Sequence, residues 1–138
     1  MNVSNETTTP VALTIAGSDS GGGAGIQADL RTFSFHRVHG TSALTCVTAQ
    51  NTTGVSRVDA LPPEAVIAQI TAVTSDFSVG SAKLGMLLNR DIMAAVASEL
   101  RDRPIANLVV DPVMVSRAGD TLIDDAAIET LRKEILPL

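Results

Sequence analysis

The chain has 138 residues, 45% of them hydrophobic and 18% charged, with a formal net charge of −5. That length suits one domain with a core of its own, the composition excludes a disordered chain, and the absence of a basic stripe argues against nucleic acid. The single cysteine, Cys46, excludes a disulfide framework and supplies too few thiolates for a structural zinc site, and no run approaches the roughly eighteen apolar residues of a membrane span.

Residues 1–10 (MNVSNETTTP) are polar, lack the apolar stretch of a signal peptide, and read as a disordered tail ahead of a cytoplasmic domain at 11–138. VALTIAG at 11–17 is a short β-branched run ending in glycine, a buried strand. A glycine-rich turn, SDSGGG, follows. From Gly25 the period becomes helical, with Ile26, Leu30 and Phe33 on one face. Residues 41–50 (TSALTCVTAQ) read as one strand, with Cys46 a small buried hydrophobe within it. After the NTTG turn comes a short extended piece, Val55–Ala60. Pro62 and Pro63 open a helix whose Val66, Ile70, Val73 and Phe77 share a face. Ala82–Met86 is a short strand, and Asp91 begins a helix with Ile92, Val96 and Leu100 one turn apart. Asn107–Asp111 is the next strand, closed by Pro112. Asp124 and Asp125 stand where a helix cap belongs, ahead of the stripe Ile128, Leu131 and Ile135.

Strands alternating with helices imply parallel pairing and right-handed crossovers, hence an open α/β sheet. The sequence stops where another strand is expected, so the sheet reads as incomplete, with an unpaired edge. In such sheets ligands bind beyond the carboxyl ends of the strands. Those ends carry Gly17-Ser18-Asp19, Gln50-Asn51, Gly85-Met86 and Asp111-Pro112-Val113-Met114, an apolar lining with a few polar groups.

The run GSDSGGGAG at 17–25 holds five glycines among nine residues ahead of a helix; a tight turn with positive φ needs only one, so the run reads as a backbone that something approaches closely, such as an anion at its N–H groups. It lacks the Lys-Ser/Thr of a P-loop and the spacing of a dinucleotide fingerprint. By spacing alone, Asp29 reads as an exposed first-turn acid, Gln50 as a turn residue and Met86 as core filler. Asp111, a carboxylate at a strand terminus, is the strongest single candidate for Mg²⁺ or a phosphate network. His36 and His39 read as solvent or helix-end contacts and not as metal ligands.

The stretches ALTIAGSDSGGGAGIQADLRTF, TCVTAQNTTGV, KLGML and VVDPVM, followed by SRAGD and LI, resemble in order and spacing the N-terminal half of the hydroxymethylpyrimidine/phosphomethylpyrimidine kinases of thiamine synthesis. The resemblance runs from Val11 to the end, and it implies a ribokinase-like fold, a mostly parallel sheet with helices on both faces. It implies transfer of the ATP γ-phosphoryl group, with Mg²⁺, to 4-amino-5-hydroxymethyl-2-methylpyrimidine and then to its monophosphate. By the same resemblance Asp29 and Gln50 hydrogen-bond the aminopyrimidine, Gly17, Ala24, Met86 and Val113 line the ring, and Asp111 lies toward metal and phosphates. A carboxylate accepting from an exocyclic amine, and an amide pairing with a ring edge, suit that ligand.

Two features depart from the family pattern. Where it has Lys-Ser-Gly-Asp, this chain has Arg117-Ala118-Gly119-Asp120, which exchanges a point charge for a fork. The Asn-x-x-Glu segment and the Gly-Thr-Gly-Cys anion hole of the family's second half are absent. No catalytic residue of that anion hole is therefore expected in these 138 residues, and the isolated chain is expected to be inactive. The alternatives are a pyridoxal kinase of the same fold and a non-catalytic pyrimidine-binding fragment. Expected partners are the pyrimidine, the missing C-terminal half and a second copy in a homodimer, with neither nucleic acid nor membrane.

Overall fold

The structure, a computed structural model, describes residues 9–114 and 123–138. The strands are β1 (Val11–Ala16), β2 (His39–Leu44), β3 (Cys46–Gln50), β4 (Val55–Ala60), β5 (Ser81–Leu84) and β6 (Leu108–Val110). The helices are α1 (Gly25–Phe35), α2 (Pro63–Asp76), α3 (Arg90–Asp102) and α4 (Asp125–Thr130), the last running into one π-helical turn, Leu131–Ile135. Four strands form a parallel sheet in the order β2-β1-β5-β6, and β3 pairs antiparallel with β4 as a separate hairpin. The open parallel α/β architecture expected from alternation is therefore present.

The stretch 41–50 is not one strand. It breaks at Thr45, and its two halves enter different sheets. The Thr45 amide still donates to the Ala16 carbonyl, continuing the β1 ladder, while its hydroxyl donates to the Met86 carbonyl at 2.7 Å. Pairing with β1 thus ends at a fully buried threonine, and the chain turns away to build the hairpin. Cys46 opens β3 and is fully buried, as a small hydrophobe is.

Alternation along the strands divides the sheet into two faces. Leu13, Ile15, Ala43, Ala82 and Leu84 point into one core with Val66 and Ile70 of α2, Ile92, Val96 and Leu100 of α3, and Leu131 and Ile135 of the C-terminal turns. Each Leu, Ile or Val among them contributes about 1.5–3 kcal/mol by leaving water. The other face is covered by α1, which packs over β1 and β2. Only Ile26 of its expected apolar stripe is buried; Leu30 and Phe33 lie against Gly40, where an added Cβ would sit 2.9 Å from the Leu30 side chain.

Local signals place the helix ends. Pro63 is the first residue of α2, where its missing N–H costs nothing. Asn89, not Asp91, caps α3, its side chain accepting from the Ile92 amide at 3.0 Å, so that helix starts one residue earlier than its apolar period suggests. Asp124 caps α4 through the Ala127 amide. Phe77 falls just past α2 and is partly exposed, stacked on His39 instead of joining the stripe below it.

Candidate functional site

The carboxyl ends of β1, β5 and β6 open into a cavity of about 560 Å³, closed on one side by the glycine loop and on another by the β3–β4 hairpin. Gly17, Ala24, Asp29, Gln50, Met86, Asp111 and Val113, the residues singled out from sequence, all line it. Asn51, Val55 and Val58 of the hairpin join them, as do Ser18, Asp19, Thr48 and Lys83. Arg117 and the rest of 115–122 lie outside the described residues, as do positions 1–8 of the expected tail. Pro10 is held, its carbonyl accepting from the His39 amide.

The glycine loop is filled by its own chain. The buried carboxylate of Asp19 accepts from the amides of Gly21 at 2.8 Å, Gly23 at 3.0 Å and Ala24 at 2.8 Å. A helix start of this kind offers N–H groups to an anion, and here the anion is built in. The loop is therefore not a cradle for ATP phosphates. Two of its glycines do need left-handed backbone: Gly22 has φ +74° and Gly25 has φ +58°. A Cβ on Gly25 would also lie 2.5 Å from the Gly17 carbonyl oxygen, which accepts the Ile26 amide. Close approach does operate in this turn, but loop and helix approach each other.

Gly17 is tight for a different reason. A Cβ there would lie 2.7 Å from Cys46 Sγ and 2.8 Å from the Met86 methyl, so glycine keeps the floor of the cavity clear. Met86 acts twice, its side chain lining the cavity and its carbonyl accepting from the Gly17 amide and the Thr45 hydroxyl.

Asp29 is not the exposed first-turn acid that spacing alone suggests. Its side chain is 18% exposed and points back at the sheet, where Thr14 donates to it at 2.7 Å and Lys83 Nζ lies 3.1 Å away. Parallel register explains the meeting, because Thr14 and Lys83 are paired positions on β1 and β5. Lys83 also reaches Asp111 at 3.6 Å, so one ammonium stands between two carboxylates on the cavity floor. Sequence reading passed over Lys83, whose only visible signal was a charge within a short apolar strand.

Asp111 is 55% exposed at the end of β6, its amide bonded to the Leu84 carbonyl. Among the described residues no three His, Cys, Asp or Glu side chains gather as a metal site. Asp111 fits as one ligand of a hard cation that keeps water and phosphate oxygens for the rest, the usual habit of Mg²⁺. Cys46 carries a thiol pushed above its ordinary pKa by burial, an effect partly offset by the Thr45 hydroxyl. It is an inert structural thiol and not a nucleophile.

Comparison with known proteins bears on what this cavity holds. A hydroxymethylpyrimidine/phosphomethylpyrimidine kinase of Synechococcus elongatus is 64% identical over 129 residues, covering 94% of this chain and 49% of that protein. The crystal structure of a phosphomethylpyrimidine kinase from Clostridium difficile superposes with a TM-score of 0.88 at 44% identity, covering 94% of this chain and 56% of that one. A Bacillus subtilis pyridoxal kinase, solved as an ADP complex, superposes with a TM-score of 0.81 at 36% identity, covering 94% and 48%. The chain spans about half the length of the curated relatives it matches. The ribokinase-like architecture expected from the sequence is the one these kinases share. No described helix is long and apolar enough to cross a membrane. With residues 19–138 matching the phosphomethylpyrimidine kinase family, the chain belongs to that family of kinases.

Proposed function

We propose that this chain forms the pyrimidine-binding half of an ATP-dependent kinase acting on 4-amino-5-hydroxymethyl-2-methylpyrimidine and its monophosphate. The observation that carries the proposal is the Asp29–Lys83–Asp111 line on the floor of a cavity that Gly17, Ala24, Gln50, Met86 and Val113 also line. Asp29, paired with Lys83 and Thr14, is an oriented acceptor for an exocyclic amine. Gln50 offers an amide to a ring edge. The small residues and Met86 admit a flat ring, and the ring's hydroxymethyl group is directed toward Asp111. ATP supplies the phosphoryl group. Because the glycine loop is already filled by Asp19, its phosphates are held outside that loop, by the half of the relatives' length that this chain does not span. Mg²⁺ is held partly by Asp111. The same reading sets the reaction in the cytoplasm and in a homodimer; sedimentation of the full-length protein checks the dimer.

Calorimetry with the pyrimidine tests the binding role. Saturable one-site binding to the 138-residue chain is the expected result, and a folded chain that binds none overturns the reading. Phosphoryl transfer, read as product mass with Mg-ATP, is expected only from protein extended to the length of its relatives. Pyridoxal is the second substrate to try, favoured by the likeness to the Bacillus subtilis pyridoxal kinase. Faster turnover of pyridoxal than of the pyrimidine by the extended protein would replace the first reading with that one.

A further inference from the structure

The two walls of the cavity are far apart in sequence, yet they are fastened by side chains. The Ser18 amide donates to the Cys46 carbonyl at 3.0 Å. Thr48 donates its amide to Ser18 Oγ at 3.0 Å and its hydroxyl to the Ser18 carbonyl at 2.8 Å. Two residues on, the pattern repeats with a second serine. The Gln50 amide donates to Ser20 Oγ at 2.7 Å, and the Ser20 hydroxyl donates to the Gln50 carbonyl at 2.6 Å. On this edge of β3, hydroxyl groups take the place a neighbouring strand would occupy. Gly21 then runs so close that an added Cβ would lie 3.3 Å from Asn51 Cα.

Gln50 also stands at an irregularity. The register between β3 and β4 shifts between Ala49 and Gln50: Ala49 pairs with Arg57 but Gln50 with Val55, which leaves Ser56 as the extra residue. A bulge leaves its extra residue unpaired and disrupts the ladder locally, so pairing with β4 is weakened where Gln50 stands. The hairpin therefore holds the Gln50 main chain weakly, while the Gln50 side-chain oxygen accepts from the Thr48 hydroxyl at 3.3 Å. Both main-chain groups of Gln50 that face away from β4 end on one atom, Ser20 Oγ.

We propose that Ser20 is a positioning residue, a latch that fastens the glycine loop to β3 and fixes Gln50 against the cavity. Its consequence for ligand binding rests on the reading of Gln50 as a pyrimidine contact. The hairpin and the glycine loop then form one wall, and the cavity is preformed instead of closed by a lid. Ser18 is buried and its loss would disturb the core, whereas Ser20 is exposed and can be exchanged without opening a hole.

The test uses the whole chain with Ser20→Ala and Ser20→Thr. Hydrogen exchange at the Gln50 amide is expected to quicken by about tenfold in Ser20→Ala, the scale of one lost hydrogen bond, and to return to the wild-type rate in Ser20→Thr. The melting temperature should fall by no more than about 5 °C, the shift that the loss of one hydrogen bond implies for a chain of this size. Affinity for 4-amino-5-hydroxymethyl-2-methylpyrimidine should fall by about three- to tenfold in Ser20→Ala and recover in Ser20→Thr. Unchanged exchange at Gln50 overturns the latch whatever the ligand does. Faster exchange with unchanged affinity overturns the positioning role. A wild-type chain that binds no pyrimidine overturns the reading beneath that role, while the exchange measurement still decides the latch.

Discussion

The two faces of the parallel sheet are made by the same strands and do opposite work. Toward α2 and α3, Leu13, Ile15 and Leu84 are wholly buried in an apolar core. Toward α1, the intervening Thr14 and Lys83 meet Asp29 in a polar, half-covered space that opens into the cavity. Neighbouring residues thus separate the core from the cavity, because successive side chains on a strand point to opposite faces. Substitutions on the first face should unfold the protein, and those on the second should leave it folded and impair binding.

Ile15→Ala tests the first half of that contrast and carries the largest expected effect. Truncating a fully buried isoleucine should cost about 2–5 kcal/mol, read by chemical denaturation. A loss below about 1 kcal/mol would mean that the core can collapse onto the gap and that this face is not the stabilising one. Asp19→Asn lies between the faces. The variant keeps one acceptor oxygen but turns an NH₂ group toward N–H donors, so a loss of about 2–3 kcal/mol is expected. Unchanged stability would show that the loop does not depend on its internal anion.

Lys83→Met should do the reverse of Ile15→Ala. Asp29 keeps the Thr14 hydroxyl but loses its cation, and pyrimidine affinity should fall by about tenfold while the protein stays folded. Stability falling as far as in Ile15→Ala would erase the distinction between the faces.

The smallest effect belongs to Cys46, beneath Gly17 at the seam. Burial raises its thiol pKa, so the folded state holds its proton more tightly than the unfolded state does. Its contribution is fully present below the unfolded thiol's value, about 8.5, and is lost as pH rises through the higher folded value. Stability should sag more at pH 10 than in Cys46→Ala, and iodoacetamide should label the folded thiol slowly. Rapid labelling at pH 7.5 would show that the seam opens.

Much of this was legible in the chain. Alternation of short β-branched runs with 3.6-period segments announced a parallel α/β sheet; the strand ends offered Gly17, Gln50, Met86, Asp111 and Val113, the family resemblance added Ala24 and Asp29, and all of them line the cavity. Local chemistry also located the start of α2 and the cap of α4, because proline and aspartate act within a turn of their own position. Other features were misread at the same local level. Thr45 interrupts an otherwise continuous extended run, and its hydroxyl is tied to the Met86 carbonyl, 41 residues away.

What the amino-acid sequence determined by itself was the kind and order of the elements, apart from the break at Thr45, and the residue types available at each strand end, since periodicity and capping are properties of neighbouring residues. What only the tertiary structure decided was partnership. Lys83 meets Asp29 across 54 residues, Ser20 meets Gln50 across 30, and Asp19 folds back on its own loop to take the place of an anion. The physical reason is that alternation says two faces exist but not what will lie opposite them. Parallel register sets Thr14 beside Lys83, α1 carries Asp29 over that pair, and a charge that looked solitary in a short strand stands between Asp29 and Asp111 at the cavity.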